Sequence, residues 1–257
     1  MPRRKTSLQP TARKAAIIDL ISQRGKASVN ELAHRFDTSV ETVRRDLSSL
    51  AVAGRVRKVH GGVVKIRPSE EGPFEDRIKQ NTLAKQLVAE KLVKTISPGQ
   101  SIMIDTGSTS LICAKEFSRI EGLTVITNST RIAGIISVND NNSHAFLLGG
   151  TYKHDNAQTV GSATIREIAQ YSVDHVILTI RALDFQGAYD FSEEEAEVAR
   201  AMVNNAEHVT IVADSTKLNN RSTFQVCDLN KIDRLILDQA PELELQRVLD
   251  AAGVEVL

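Results

Sequence analysis

The segment Thr38-Ser-Val-Glu-Thr-Val-Arg-Arg-Asp-Leu-Ser-Ser-Leu50 constrains this chain more than any other stretch. Small polar residues open it, and a hydroxyl at a helix start accepts an otherwise orphaned backbone N–H. Either Thr38, with Glu41 three residues on, or Ser39 can supply that cap. Val40, Val43, Leu47 and Leu50 recur at helical spacing and make one apolar face. Thr42, Arg44, Arg45 and Ser48 fall on the other side, where they can neutralise phosphates and offer donors to base edges. A short amphipathic helix with two arginines in its first turns reads as the second helix of a helix-turn-helix.

The flanking residues complete that motif. Ala15, Ile17, Ile18 and Ile21 predict a helix over residues 11–23, which Arg24-Gly25-Lys26 breaks. Ser28-Val-Asn-Glu31 has capping-box spacing for a second helix carrying Leu32, Ala33 and Phe36. Asp37-Thr38-Ser39 turns into the third. Beyond Ala53-Gly54, the stretch Arg55-Val-Arg-Lys-Val-His-Gly-Gly-Val-Val64 alternates charge with Val and then turns on a glycine pair, which predicts a β-ribbon. Three helices and a basic hairpin make a winged helix-turn-helix over residues 1–67, which begins with a basic arm expected to be mobile over 1–11. The candidate DNA contacts are Ser28, Ser39, Thr42, Arg44 and Arg45 from the helices. The wing adds Arg55, Arg57, Lys58 and His60. The plainer alternative is a helical domain with a solvated basic surface.

Net charge first argues against this, because 32 Lys/Arg balance 32 Asp/Glu over the 257 residues. The balance hides a division. Residues 1–67 hold 15 Lys/Arg against 5 Asp/Glu, a net charge of +10 that leaves −10 on the remainder. A basic end on an acidic body suggests a polyanion-binding module joined to a domain with another task. Cys113 and Cys227 are the only cysteines. Their wide separation, apolar surroundings and lack of metal-type spacing suggest buried thiols in a reducing compartment, with no metal. Without a signal-peptide pattern or a bilayer-spanning apolar run, the expected location is the cytoplasm, with no membrane partner.

Pro68-Ser-Glu-Glu-Gly-Pro73 has linker composition, and a helix is expected over about 75–95, so residues 68–96 read as linker and connecting helix. Residues 97–257 then show short apolar runs, most of them separated by helical segments. These runs are 101–104, 123–126, 145–148, 175–180, 209–212 and 234–237. Buried parallel strands read this way, so the class is α/β. Ligands of open α/β sheets sit beyond the carboxyl ends of the strands. The residues found there are Asp105, Thr106, Gly107, Ser108 and Thr109 after the first run, then Thr127, Asn128 and Ser129, then Gly149 and Gly150, and finally Asp214 with Lys217. A Gly/Ser/Thr loop opening a helix offers N–H groups and a positive dipole end to a phosphate. Carboxylate and amide neighbours suit hydroxyls. A small sugar or polyol phosphate fits this set. A nucleotide P-loop does not, since its Gly-Lys signature is missing.

These motifs resemble the DeoR family of bacterial transcriptional regulators over nearly the whole length. The resemblance rests on Val43-Arg-Arg-Asp-Leu47, His60-Gly-Gly62, Arg77 with Lys85, Asp105-Thr-Gly-Ser-Thr109, Val125-Ile-Thr-Asn-Ser129, Leu148-Gly-Gly150, Gly161 and Ala213-Asp-Ser-Thr-Lys217. It implies an N-terminal winged helix and a C-terminal sensor similar to ribose-5-phosphate isomerase. It also implies a homodimer or homotetramer that represses a sugar or polyol operon until a phosphorylated intermediate releases it from a double-stranded DNA operator, with no cofactor. One segment departs from the pattern. Where the family carries Gly-Ala-Asp-Gly-Ile-Asp, this chain has Thr179-Ile-Arg-Ala-Leu-Asp184. Asp184 survives. Arg181 replaces a small or acidic group, and it can add a cation to the phosphate site, fill the pocket, or face solvent. Gly187-Ala-Tyr-Asp-Phe191 with Glu194 and Glu195 is similar to the glycerol-3-phosphate repressor branch. Arg181 and Asp184 therefore join the candidate effector residues.

Two other functions compete. A sugar-phosphate isomerase fused to a DNA-binding arm needs a base, and Asp184 or Asp214 is available. Arg181, however, stands where an acid is needed, and no His lies in these loops. An architectural DNA-binding protein needs no effector, and the set of loops argues against it.

Overall fold

The computed structural model describes residues 9–52, 55–59, 61–64, 72–138 and 140–257, without the side chain of Val52. His60, most of the basic arm and most of the expected linker lie outside the described residues. Contacts divide the chain into two units between Gly72 and Pro73.

The first unit runs α1 (Pro10–Arg24), β1 (Lys26–Ser28), α2 (Val29–Arg35), α3 (Val40–Val52), β2 (Arg57–Val59) and β3 (Gly62–Val64). Ile17, Leu20, Ile21, Leu32, Val43, Leu47, Val56 and Val63 form its core. Two details differ from the apolar pattern. In α1, Leu20 is buried and Ala15 is exposed. Val40, the first residue of α3, is 37% exposed. The strands form an antiparallel sheet in the order β1-β3-β2. Sequence spacing gives Arg24-Gly25-Lys26 only as a break, yet Lys26–Ser28 pairs with Gly62–Val64 and fastens the wing to the helices. Gly62 permits this approach, since a Cβ there would stand 2.5 Å from the Ala27 carbonyl oxygen.

The second unit opens with α4 (Phe74–Lys79) and α5 (Thr82–Val93), where sequence predicts one helix. The chain breaks at Gln80, which is extended, and at Asn81, which is left-handed with φ 51°. Asn tolerates that conformation better than most residues. The remaining elements are β4 (Ser101–Ile104), α6 (Ser108–Phe117), β5 (Thr124–Thr127), α7 (Thr130–Ser137), β6 (His144–Leu147), β7 (Thr151–Lys153), β8 (Gln158–Val160), α8 (Ser162–Ile168), β9 (Val173–Thr179), β10 (Ala182–Leu183), β11 (Gly187–Asp190), α9 (Glu193–Val203), β12 (Ala206–Ala213), β13 (Phe224–Asp228), β14 (Arg234–Leu237), α10 (Leu243–Ala251) and β15 (Glu255–Val256).

Seven strands make one parallel sheet in the order β15-β14-β12-β9-β4-β5-β6. Alternation places successive residues on opposite faces. Ile102 and Ile104 pack with Leu92, Cys113 and Phe117 on one side. Met103, Val176 and Leu178 pack with Ala199, Met202 and Leu245 on the other. Cys113 and Cys227 are both buried, and burial raises both thiol pKa values, Cys227 to about 12. The hairpin β7-β8 and the small antiparallel sheet β10-β11-β13 lack clear apolar runs in the sequence. From β4 the chain winds one way to β5 and β6, and the other side is built by β9, β12 and β14. The strand order therefore reverses between β4 and β9, and that crevice is where α/β sheets hold ligands.

Candidate functional site

In the first unit, Ser39 is the cap of α3, for its Oγ accepts the Thr42 N–H at 3.0 Å. Ser28 does the same for α2, accepting the Glu31 N–H at 3.1 Å. Arg44 and Arg45 are both exposed on α3. Asp46, their neighbour in sequence, is turned inward and pairs with Arg13 of α1 at 2.5 Å, with both side chains buried. This pair fixes the rotation of α3, and hence which face the arginines present. Two lysines flank that face. Lys14 donates to Ser49 Oγ at 2.8 Å and Lys58 of the wing donates to Ser48 Oγ at 3.1 Å. Arg44, Leu47, Lys58, Val59 and Asn30 line a groove of about 280 Å³ between helix and wing. Arg55 is exposed and Arg57 half-buried. Lys14 was not among the sequence candidates, because its apposition to α3 depends on how α1 packs.

In the second unit, Asp105 follows β4 at the switch point and is almost wholly buried. Its carboxylate accepts the Ser110 hydroxyl at 2.6 Å, the Thr179 N–H at 3.0 Å and the Thr179 hydroxyl at 3.1 Å. Burial pushes its pKa up to about 7. The Glu195 carboxylate adds to the rise, and the three hydrogen bonds oppose it. Gly107 lies against Thr179, with no room for a Cβ.

A closed chain of hydrogen bonds surrounds this loop. Lys85, buried on α5, donates to Ser108 Oγ at 2.9 Å and to the Arg77 carbonyl at 2.5 Å. Arg77 donates to Asn156 Oδ1 at 2.8 Å. Asn156 and Gln158 both donate to Glu195 Oε1, at 3.0 and 2.6 Å. Asn128 donates to Gln158 Oε1 at 3.3 Å and accepts from the Thr106 hydroxyl at 3.4 Å. The ring therefore returns to the loop that carries Ser108. Beside it, Asn81 at the helix break donates to Asp214 Oδ1 at 3.2 Å, and Lys217 follows in a 3₁₀ turn after β12.

Of the sequence-predicted effector residues, Thr106, Ser108 and Asn128 belong to this ring, and Asp105 and Gly107 support it from beneath. Thr109 is buried in the first turn of α6. Thr127 Oγ1 accepts the Ser129 N–H at 3.0 Å, and Ser129 caps α7. Gly149 and Gly150 join α8 instead: the Gly149 N–H donates to Glu167 at 2.6 Å, and its carbonyl accepts from Thr164 at 2.7 Å. Asp184 sits in the β10-β11 turn, accepting the Gln186 N–H at 2.8 Å. Arg181 is half-buried, its N–H bonded to the Tyr189 carbonyl, and its buried Nε meets no partner among the described residues. Sequence reasoning does not place Arg77, Lys85, Asn156, Gln158 or Glu195 at a site. Arg77, Lys85 and Glu195 stand out only as motif residues, and Asn156 and Gln158 lie in a segment without a motif.

A winged helix with an exposed arginine face, followed in the chain by a parallel α/β unit with a polar ring at its switch point, defines a DNA-binding regulator with a sensor. Residues 13–69 match the DeoR-like helix-turn-helix domain, and residues 80–239 match the DeoR C terminal sensor domain. The chain belongs to the DeoR family of transcriptional regulators. It is 29% identical over 243 residues to the glycerol-3-phosphate regulon repressor of Escherichia coli K12, covering 94% of this chain and 96% of that protein. It is 30% identical over 250 residues to the HTH-type transcriptional regulator GlpR of Haloferax volcanii, covering 96% and 97%. Among solved structures, the tetrameric eIF2B-beta2-delta2 complex of C. thermophilum aligns over 95% of both chains with a TM-score of 0.51 at 11% identity, a likeness of fold alone. Ribose 5-phosphate isomerase A of Methanocaldococcus jannaschii aligns over 54% of this chain and 55% of its own, with a TM-score of 0.39 at 17% identity. The family settles the choice left open by the sequence: the chain is a regulator and not an isomerase. No helix among the described residues is long and apolar enough to cross a membrane.

Proposed function

We propose that this regulator represses a carbohydrate or polyol operon and leaves its operator when a phosphorylated sugar or polyol occupies the sensor unit. The observation that carries the proposal is the ring from Lys85 to Glu195 at the switch point. It pairs a buried ammonium and a guanidinium, suited to phosphate, with amides and a carboxylate suited to hydroxyls. The DNA side of the reading rests on the exposed Arg44–Arg45 face between Lys14 and Lys58. Arg44, Arg45 and Thr42 would meet bases, and Lys58 and Arg57 phosphates. Operators with two half-sites call for at least a homodimer. A cytoplasmic location accords with this role.

Release requires differential affinity, since a ligand shifts only an equilibrium whose states it binds unequally. The test is gel-shift titration of the full chain on operator DNA, with and without a panel of phosphorylated sugars and polyols, glycerol 3-phosphate among them. At least one phosphorylated compound should weaken the complex, and its dephosphorylated form should not. A complex indifferent to every phosphorylated compound would refute the sensor half of the proposal.

A further inference from the structure

The helix α3 holds two acidic residues, and they have opposite fates. Asp46 is buried against Arg13. Glu41 is 64% exposed and lies 3.5 Å from Arg45, one turn on, which is itself 81% exposed. Lys14 reaches Ser49 on one side of this stripe and Lys58 reaches Ser48 on the other. Glu41 is therefore, among the described residues, the one carboxylate of α3 on a face otherwise made of cations and hydroxyls, in the first turn of the recognition helix. In helix-turn-helix proteins that turn meets base edges.

A carboxylate there is repelled by the phosphates of both strands. It is tolerated where it accepts a hydrogen bond; of the two major-groove donors, cytosine N4 suits an acceptor-only carboxylate better than adenine N6, which stands beside the acceptor N7. Arg45 lies one turn on from Glu41 on the same face, and an Arg fork matches guanine O6 and N7. We infer that Glu41 is a specificity-determining residue that selects a cytosine in each half-site, beside a guanine read by Arg45. The two side chains stand about 6 Å apart along the helix, so the selected bases should lie within about two base steps, at ~3.4 Å per step. The inference rests on the DNA-binding reading and goes beyond it by assigning a base to a residue.

The test is selection of randomised duplexes by the full-length chain, followed by binding titrations on the selected duplex and its single-base variants at several salt concentrations. Wild type should enrich a site with a cytosine and a guanine at that separation. In Glu41→Ala, discrimination at the cytosine position should fall by roughly 10-fold to 100-fold, while the other positions keep theirs. In Glu41→Gln the preferred base should move from cytosine to adenine, because a carboxamide matches adenine N6 and N7. If both variants keep the wild-type base profile and only tighten on all duplexes alike, Glu41 merely weakens backbone binding and the inference fails. If wild type enriches no sequence at all, the DNA-binding reading fails, and this inference with it.

Discussion

Asp105, at the end of β4, accepts hydrogen bonds from both the backbone N–H and the hydroxyl of Thr179, at the end of β9. These are the neighbouring parallel strands between which the strand order reverses. The carboxylate therefore stitches shut the floor of the crevice whose rim carries the polar ring. It is a scaffold beneath the candidate ligand loop, and its environment makes it responsive to pH.

The folded pKa of Asp105, about 7, lies above the usual carboxylate value of 3.8. A raised carboxylate favours the folded state when protonated. Its contribution is fully present below the unfolded pKa and is lost as pH rises through about 7, at a slope of at most ~1.4 kcal/mol per pH unit. Asp105→Asn should lack this component. Melting temperatures of wild type and variant between pH 4 and pH 8 should show the wild type losing ground to the variant as pH rises. Parallel curves would count against a raised Asp105.

His175 works in the opposite sense. It is buried on β9, stacked at 5.3 Å on His208 of β12, and its two ring nitrogens have no partner among the described residues. Burial first, and then the neighbouring His208, lower its pKa. A lowered histidine supplies stability above the unfolded pKa of about 6.5 and loses it as pH falls. His175→Leu should remove an acid-side loss of stability below pH 6.5. The check is urea unfolding of both proteins at pH 5 and pH 7.5, and the wild type should show the larger fall on acidification.

The buried Arg13–Asp46 pair predicts a strong asymmetry between single and double replacement. Removing one member takes from a buried charge its counter-ion, at a cost of about 3–5 kcal/mol. Asp46→Leu or Arg13→Leu should destabilise the winged-helix unit by that order and weaken DNA binding through loss of the α3 orientation. Replacing both with Leu should recover much of the stability. Chemical denaturation of the four proteins of the double-mutant cycle gives the coupling directly.

Separate sites predict a double dissociation. Arg45→Ala should weaken operator binding while leaving ligand-induced thermal stabilisation intact. Lys217→Ala should keep operator affinity and reduce the ligand response. Loss of both properties in either variant would argue against the assignment of these residues to different tasks. Calorimetry with the active sugar phosphate and gel-shift titration measure the two properties independently.

Local signals account for much of what the sequence reveals. Capping spacing at Ser28–Glu31 and the hydroxyls before Val40 mark helix starts, because those hydrogen bonds span only three residues. Six of the seven strands of the main sheet are legible as apolar runs, five of them because burial on both faces leaves no polar side to interrupt them, whereas β6 is an apolar run at a largely exposed sheet edge and the two-residue β15 is too short to show one. The single helix expected over 75–95 is in fact two, since Asn81 breaks it where periodicity continues. The strand at Lys26–Ser28 has only three residues, too few to show a period, and it exists because Gly62 lets β3 approach.

By itself, then, the sequence determined the two modules and their order, the basic charge of the first, and the loops after β4, β5 and β12 as ligand-facing candidates. Those depend on composition and on spacing within one element. Only the tertiary structure decided that Asp46 turns inward to Arg13, that Gly149 and Gly150 serve α8, and that Arg77, Lys85, Asn156, Gln158 and Glu195 close a ring with Ser108 and Asn128. The physical reason is distance along the chain. The Arg77–Asn156 and Gln158–Glu195 contacts join residues 79 and 37 positions apart. No local periodicity carries such a pairing; it follows from the winding of the sheet.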